Sequence, residues 1–65
     1  MKWKFKPGDL VETVTGYVFI VKYAYNNFGG LAKDPGYYCY FLEDPEMTFW
    51  ENKPYAESQW VKHEH

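Results

Sequence analysis

Turn-forming residues divide this chain into short apolar runs, and that division limits the fold more than any other feature. Breaks fall at Pro7-Gly8, at Thr15-Gly16, over residues 26–36 and near Asp44-Pro45. Between them the segments are rich in β-branched and aromatic residues, which favour strands. About four to six short strands with turns every 8–12 residues or so predict an antiparallel barrel or sandwich. At 65 residues, the barrel is the favoured form.

The strands are predicted from alternation and strand-forming composition. They cover residues 2–6, 9–14, 17–25, 37–43, 48–50 and 59–62. Residues 26–36 are predicted to be a long polar loop, and residues 55–58 a connector or a single 3₁₀ turn. Residues 44–47 fit either a type I turn or a helix start with Asp44 as N-cap, and the turn is favoured. The whole chain, residues 1–65, is predicted to be one domain.

Large side chains must build the core, because the single cysteine, Cys39, has no disulfide partner within the chain. The sequence supplies 15 aromatic residues and, beyond Met1, ten of Leu, Ile, Val or Met type. A small barrel holds roughly a dozen side chains inside. Several large apolar side chains are therefore expected at the surface.

Charge lowers the expectation of nucleic-acid binding. The seven basic residues are all Lys, nine residues are acidic, and the net charge is −2, whereas phosphate contacts rely on concentrated positive charge. Lys2, Lys4 and Lys6 fit a solvated strand edge or a basic contact patch. The lone thiol and the absence of a secretory leader predict a cytoplasmic protein. The apolar runs are too short to span a membrane.

The sequence contains few residue combinations that could support catalysis or metal binding. Cys39 lies between aromatic residues, where a buried, inert thiol is expected. His63 and His65 share one side of an extended segment, but two ligands near a chain end make a poor metal site. The acidic residues fall beside turns, where charge keeps loops solvated. We predict no catalytic residue, no metal, no cofactor and no small-molecule substrate.

Alternation assigns the strand residues to two faces, but it does not say which face is the inner one. If Val11, Phe41 and Trp60 point inward, as the family resemblance given below implies, then alternation also points Phe19, Val21, Tyr23, Tyr37 and Cys39 inward. Tyr38, Tyr40 and Leu42 are predicted to point outward, and Val18 and Ile20 would need cover from Trp3 or a neighbouring chain.

The outward aromatic residues are either amphipathic surface decoration or a binding face, since Tyr and Trp are enriched at interaction hot spots. Phe28 and Leu31, which flank Gly29-Gly30, either plug the end of the barrel or form an exposed apolar loop tip. The candidate interaction residues are therefore Phe28, Leu31, Tyr38, Tyr40 and Trp50.

Four segments carry a family resemblance. They are Phe5-Lys6-Pro7-Gly8-Asp9-Leu10-Val11, Gly16 with the apolar strand after it, Tyr37-Tyr38-Cys39-Tyr40-Phe41, and Tyr55-Ala56-Glu57-Ser58-Gln59-Trp60-Val61. In this order they resemble small SH3-like barrels, of the kind common among uncharacterised reading frames of tailed phages, cyanophages in particular. Phe19, Ala56 and Trp60 depart from the pattern, and the motifs of peptide-binding eukaryotic SH3 domains are missing.

The resemblance implies an all-β, five-stranded antiparallel SH3-like barrel with a short 3₁₀ turn before the last strand. It also implies a phage protein, acting in the host cytoplasm or within the virion. Because fold alone does not identify function, the function is predicted from the missing chemistry and the surplus aromatic residues. We expect a non-catalytic protein–protein interaction module that binds a host or virion protein or self-associates. The alternative is a nucleic-acid-binding barrel that uses surface aromatics and Lys residues.

Overall fold

One antiparallel sheet and a short helix make up the part of the chain that the computed structural model describes, residues 2–28 and 34–63. The strands are β1 (Leu10–Glu12), β2 (Val18–Phe28), β3 (Asp34–Phe41), β4 (Thr48–Asn52) and β5 (Val61–Lys62), and the helix is α1 (Lys53–Gln59). Across the sheet the order is β4-β3-β2-β1-β5. The prediction of a mostly β chain with five antiparallel strands is confirmed.

Two predicted turns are also confirmed. Gly16 N donates to Thr13 O at 3.0 Å, and Gly16 has a φ of +90°, which an L side chain rarely adopts. Met47 N donates to Asp44 O at 2.9 Å. Residues 44–47 therefore form a turn before β4, and the alternative of a helix start at Asp44 is wrong.

The segment before the last strand is a helix rather than a single 3₁₀ turn, which corrects that prediction. Trp60 N donates to Ala56 O at 2.9 Å, the spacing of an α-helical bond. Pro54 lies in the first turn, where its missing N–H breaks no helical bond. Within residues 2–28 and 34–63, no helix has the length and apolar character that crossing a bilayer requires.

The prediction of a closed barrel is not confirmed, because the sheet is open in the described residues. Strands β4 and β5 are its two edges, and no pairing joins them in the described residues. Strands β2 and β3 are also longer than predicted and extend into the expected loop, to Phe28 and from Asp34. The rest of that predicted loop lies outside the described residues.

The first predicted strand is wrong. Residues 2–6 have no strand pairing, and this segment lies against one face of the sheet instead. Gly8 N donates to Val21 O at 2.8 Å, and Val21 N donates to Asp9 O at 2.9 Å. Phe5 is fully buried and Trp3 packs against the core. The Lys-aromatic alternation arises from this packing, with Lys2, Lys4 and Lys6 exposed.

The core lies on one face of the sheet, between the sheet, the N-terminal segment and α1. Its buried residues are Phe5, Val11, Phe19, Val21, Tyr37, Cys39, Ala56 and Trp60. Aromatic rings meet edge to face or tilted, as Phe19 does with Phe49 at 4.6 Å and with Trp60 at 5.3 Å between centroids. Except for Tyr23, the predicted inward residues are confirmed, with Phe41 half-buried against the cluster.

Tyr23 points away from the core, contrary to its predicted position. A register shift, typical of a β-bulge, separates the pairs Val21↔Cys39 and Tyr23↔Tyr38. An extra residue on one strand reverses the faces of everything beyond it. Tyr23 is therefore 44% exposed, on the same face as Tyr38.

Candidate functional site

The face of the sheet opposite the core carries a group of large apolar and aromatic side chains, here called the outer face. Strand pairing defines it, because directly opposed residues of neighbouring strands share a face. By this rule its residues are Leu10, Glu12, Val18, Ile20, Tyr23, Tyr25, Gly36, Tyr38, Tyr40, Thr48, Trp50, Asn52 and Val61. They are half-buried or exposed, apart from Gly36, whereas the aromatic residues of the inner face are sealed under α1 and the N-terminal segment.

Three tyrosines form a continuous aromatic surface on the outer face. The rings of Tyr23 and Tyr38 are stacked, with centroids 6.2 Å apart and planes at 18°, and Tyr23 and Tyr25 are 5.4 Å apart. Lys22 Nζ lies 5.8 Å from the Tyr23 ring centroid and 6.0 Å from that of Tyr38. The ammonium group therefore interacts with both ring faces.

Trp50 extends this surface across β3. A Cβ atom at Gly36 would collide with the indole ring, so the ring rests directly on the backbone there. Only glycine permits so close an approach. Because the backbone beneath it limits its movement, Trp50 is a rigid part of the outer face and is only half-buried.

Comparison with protein-family models, with curated proteins and with solved structures found no match to this chain. The function is therefore inferred from the geometry of the molecule. A surface of clustered aromatic rings with the Lys22 ammonium group beside it can bind apolar or planar groups by contact.

Of the candidate interaction residues, Tyr38, Tyr40 and Trp50 lie together on the outer face, on adjacent strands β3 and β4. Tyr40 pairs with Ile20 on one side and Thr48 on the other. The backbone of Phe28 ends β2 opposite Asp34. Leu31 lies outside the described residues, so the two alternatives for the Phe28 and Leu31 pair stay predictions.

The positions of Tyr23 and Tyr25 on the outer face were not predicted from the sequence. Strict alternation placed Tyr23 inside, and only the bulge brings it beside Tyr38. No residue of β2 signals the bulge in the sequence, because strict alternation already points Lys22 away from the core.

A second polar site joins the N-terminal segment to α1 at Glu57. Its carboxylate accepts hydrogen bonds from Lys4 N at 3.0 Å and Lys53 Nζ at 3.1 Å. Tyr37 Oη also donates a short hydrogen bond to Glu57 Oε2 and accepts one from Phe5 N at 3.2 Å. These contacts explain how a tyrosine hydroxyl is accommodated next to the core.

The two acidic groups of this site have opposite pKa shifts. Burial and the hydrogen bond to Glu57 raise the pKa of Tyr37 far above its ordinary value. Partial burial alone would raise the pKa of Glu57, but the hydrogen bonds from Tyr37, Lys4 and Lys53 outweigh it and lower the pKa. Glu57 is therefore ionised at neutral pH and Tyr37 is neutral, which suits a structural hydrogen bond.

Cys39 is fully buried, as predicted, and burial together with the nearby Glu51 charge raises the pKa of the thiol to about 12. A thiol of this kind is a poor nucleophile at neutral pH. His63 Nδ1 lies 2.9 Å from Glu12 Oε1, while His65 falls outside the described residues. In residues 2–28 and 34–63, no three His, Cys, Asp or Glu side chains are grouped to hold a metal ion.

Proposed function

We propose that this chain is a non-catalytic protein–protein interaction module that binds its partner through the outer face. The supporting observation is the grouping of Tyr23, Tyr25, Tyr38, Tyr40 and Trp50 on the face of the sheet opposite the core. Packing the core requires none of these positions to be aromatic. Their placement is what an interface needs, because aromatic residues supply large contact areas at a small cost in side-chain entropy.

The composition of the outer face suits the centre of an ordinary interface. A stable interface buries about 800 Å² on each partner, and a few aromatic residues near its centre carry most of the binding free energy. Among the described residues, Lys22 is the charged side chain that contacts these rings, over Tyr23 and Tyr38. The matching surface is therefore mainly apolar, with a carboxylate opposite Lys22. The resemblance to phage reading frames makes a host or virion protein the proposed partner, with a second copy of the chain as the alternative.

The test compares two tyrosines with similar exposure. Tyr23, on the outer face, is 44% exposed, and Tyr55, on α1, is 54% exposed. Self-association is measured by light scattering from micromolar to millimolar protein, and partner binding by calorimetry with proteins captured from a lysate of the natural host. We expect Tyr23→Ser to abolish or weaken association at least tenfold, and Tyr55→Ser to leave it within twofold.

A purely monomeric protein whose captured partners bind the Tyr23→Ser and Tyr55→Ser variants equally well would refute the proposal. Unfolding by urea shows whether both variants are folded. A stability change within about 0.5 kcal/mol is expected for Tyr55→Ser, and a loss of up to about 1 kcal/mol for Tyr23→Ser, which removes the ring contacts with Tyr25 and Tyr38.

Single-stranded nucleic acid is the second candidate, and one observation favours it. Lys22 beside the stacked rings of Tyr23 and Tyr38 combines a cation with aromatic stacking surfaces, as proteins that bind single strands do. The net charge of −2 and the lack of Arg weigh against it. Fluorescence anisotropy with labelled oligothymidine tests whether the chain binds a single strand. It is measured at about 50 mM salt, where such binding is strongest. No change in anisotropy would exclude this candidate.

We further propose that the chain is related to the SH3-like phage proteins it resembles. Five antiparallel strands, with a helical segment between Asn52 and Trp60 before the last one, support this kinship. The open sheet departs from a closed barrel. The genes adjacent to the coding sequence test the origin: tail, capsid or early phage genes are expected, and a cellular metabolic operon would contradict it.

A further inference from the structure

Two turns lie side by side at one end of the sheet, away from Trp50 and Lys22, and a groove runs between them. They are the β1–β2 turn, residues 13–17, and the β3–β4 turn, residues 42–47, joined by a hydrogen bond from Leu42 N to Val18 O at 3.2 Å. The groove has a volume of about 130 Å³ and is lined by Gly16, Tyr17, Val18, Phe41, Leu42 and Glu43.

The core holds the apolar wall of this groove in place. The Tyr17 ring packs edge to face against Phe41, with centroids 6.2 Å apart. Phe41 in turn packs against Phe19 at 5.0 Å and Phe49 at 5.3 Å. A side chain that enters the groove therefore meets a preformed surface, and its binding costs little free energy for reorganising the protein.

The volume limits the occupant to one side chain. An apolar cavity of about 150 Å³ admits a benzene molecule, so the groove, at about 130 Å³, has room for one aliphatic side chain. Leu42 at its edge is 48% exposed, and Met47, in the same turn, is 55% exposed. These two side chains add apolar contact area around the groove but do not enlarge its volume.

Charge around the groove is of one sign. Glu43 lines it, and Asp44 and Glu46 follow in the same turn, all three exposed. Neither turn contains a Lys, so the two turns together carry three negative charges in a chain whose net charge is only −2. Such a local field attracts cationic partners and sets their orientation.

We propose that this groove is a second interaction site, which binds a basic peptide segment of a protein partner. One Leu-like side chain of the segment enters the groove, and flanking Lys or Arg residues face Glu43, Asp44 and Glu46. The site lies at the end of the sheet and does not depend on the function proposed for the outer face.

The test uses the acetylated, amidated peptide Lys-Lys-Leu-Lys-Lys and the full chain labelled with ¹⁵N, titrated by NMR at low ionic strength. We expect shifts of the amides of Tyr17, Leu42 and Glu43. Replacing the peptide Leu by Ser should weaken binding roughly tenfold, because an aliphatic contact is lost. The peptide Glu-Glu-Leu-Glu-Glu should not bind.

The protein variants provide a matched charge control. Glu43→Gln should weaken binding about threefold, in line with an exposed ion pair, while Glu51→Gln, on β4 and remote from the groove, should leave it within experimental error. The triple variant Glu43→Gln, Asp44→Asn, Glu46→Gln should lose tenfold or more. Equal binding of the acidic peptide, shifts confined to the outer face, or equal effects of Glu43→Gln and Glu51→Gln would each overturn the proposal.

Discussion

Glu57 connects three parts of the molecule through one carboxylate: the N-terminal segment, β3 and its own helix. Lys4 N and Tyr37 Oη donate to the same oxygen, Oε2, and Lys53 Nζ lies 3.1 Å from the other. Lys4 Nζ also donates to Glu57 O at 3.0 Å, so the main chain contributes to the same junction. Removing the carboxylate would leave the Tyr37 hydroxyl without its acceptor, which is costly for a group next to the core.

The lowered pKa of Glu57 predicts an acid-dependent loss of stability. Its contribution is present above the ordinary pKa of 4.5, and it declines as the pH falls below that value toward the pKa in the folded state. We expect Glu57→Gln to show a smaller loss of unfolding free energy between about pH 7 and about pH 3 than the natural chain. Urea titrations at the two pH values measure it.

Ser58→Ala is the control for this experiment, because it removes a neighbouring hydrogen bond, from Ser58 Oγ to Tyr55 O, without changing a titratable group. It should lower stability equally at both pH values. A Glu57→Gln protein that keeps the full pH dependence of the natural chain would show that the carboxylate is not the group that titrates.

At the scale of elements, β3 and β4 fit together because the large Trp50 ring of β4 lies over Gly36 of β3, which has no side chain. Trp50 pairs with Tyr38 and leans over Gly36, which pairs with Asn52. Glycine within a strand ordinarily weakens it by about 0.5–1 kcal/mol relative to alanine. Here the contact reverses that expectation, since a methyl group at Gly36 would occupy space filled by the indole.

We expect Gly36→Ala to lower the unfolding free energy by about 1–3 kcal/mol, as overpacking does. In a Trp50→Leu background, the same change should cost less, and the difference measures the coupling between the two positions. Urea unfolding of the four proteins completes the cycle. Stabilisation by Gly36→Ala in the natural background would contradict the packing described for Trp50.

At the scale of the whole molecule, the two faces of the sheet differ in what covers them. The inner face is closed by α1 and by the N-terminal segment, whose Phe5 ring lies 5.5 Å from that of Tyr37 and 6.2 Å from that of Trp60. The outer face has no such cover in the described residues. One sheet can therefore use one face for stability and the other for contact.

This division predicts that the N-terminal segment is essential for folding. Phe5→Ala should cost about 3–5 kcal/mol, because a fully buried ring is replaced by a cavity. A chain that begins at Asp9 should lack a cooperative thermal transition by circular dichroism. Lys6→Ala, at an exposed position of the same segment, should stay within about 0.5 kcal/mol of the natural chain. Cooperative unfolding of the shortened chain would show that the sheet and α1 suffice.

The candidate surface could be predicted from the sequence only where local rules hold. Alternation correctly separates Tyr38 and Tyr40 from Cys39, because successive side chains of a strand point to opposite faces. It fails at Tyr23, where the bulge depends on how β2 pairs with β3 and not on the residues of β2 alone. The surplus of aromatic residues predicted surface aromatics, but not that five of them would share one face.

The sequence by itself determined the mostly β character, the turn at residues 13–16 and the separation of Cys39 from Tyr38 and Tyr40, and it favoured the turn at residues 44–47 over a helix start. These follow from turn chemistry and the two-residue period, which act over a few neighbouring residues. Only the tertiary structure decided that Phe5 crosses the inner face and that the sheet stays open between β4 and β5. Both depend on contacts between residues far apart in the chain, which no local pattern encodes.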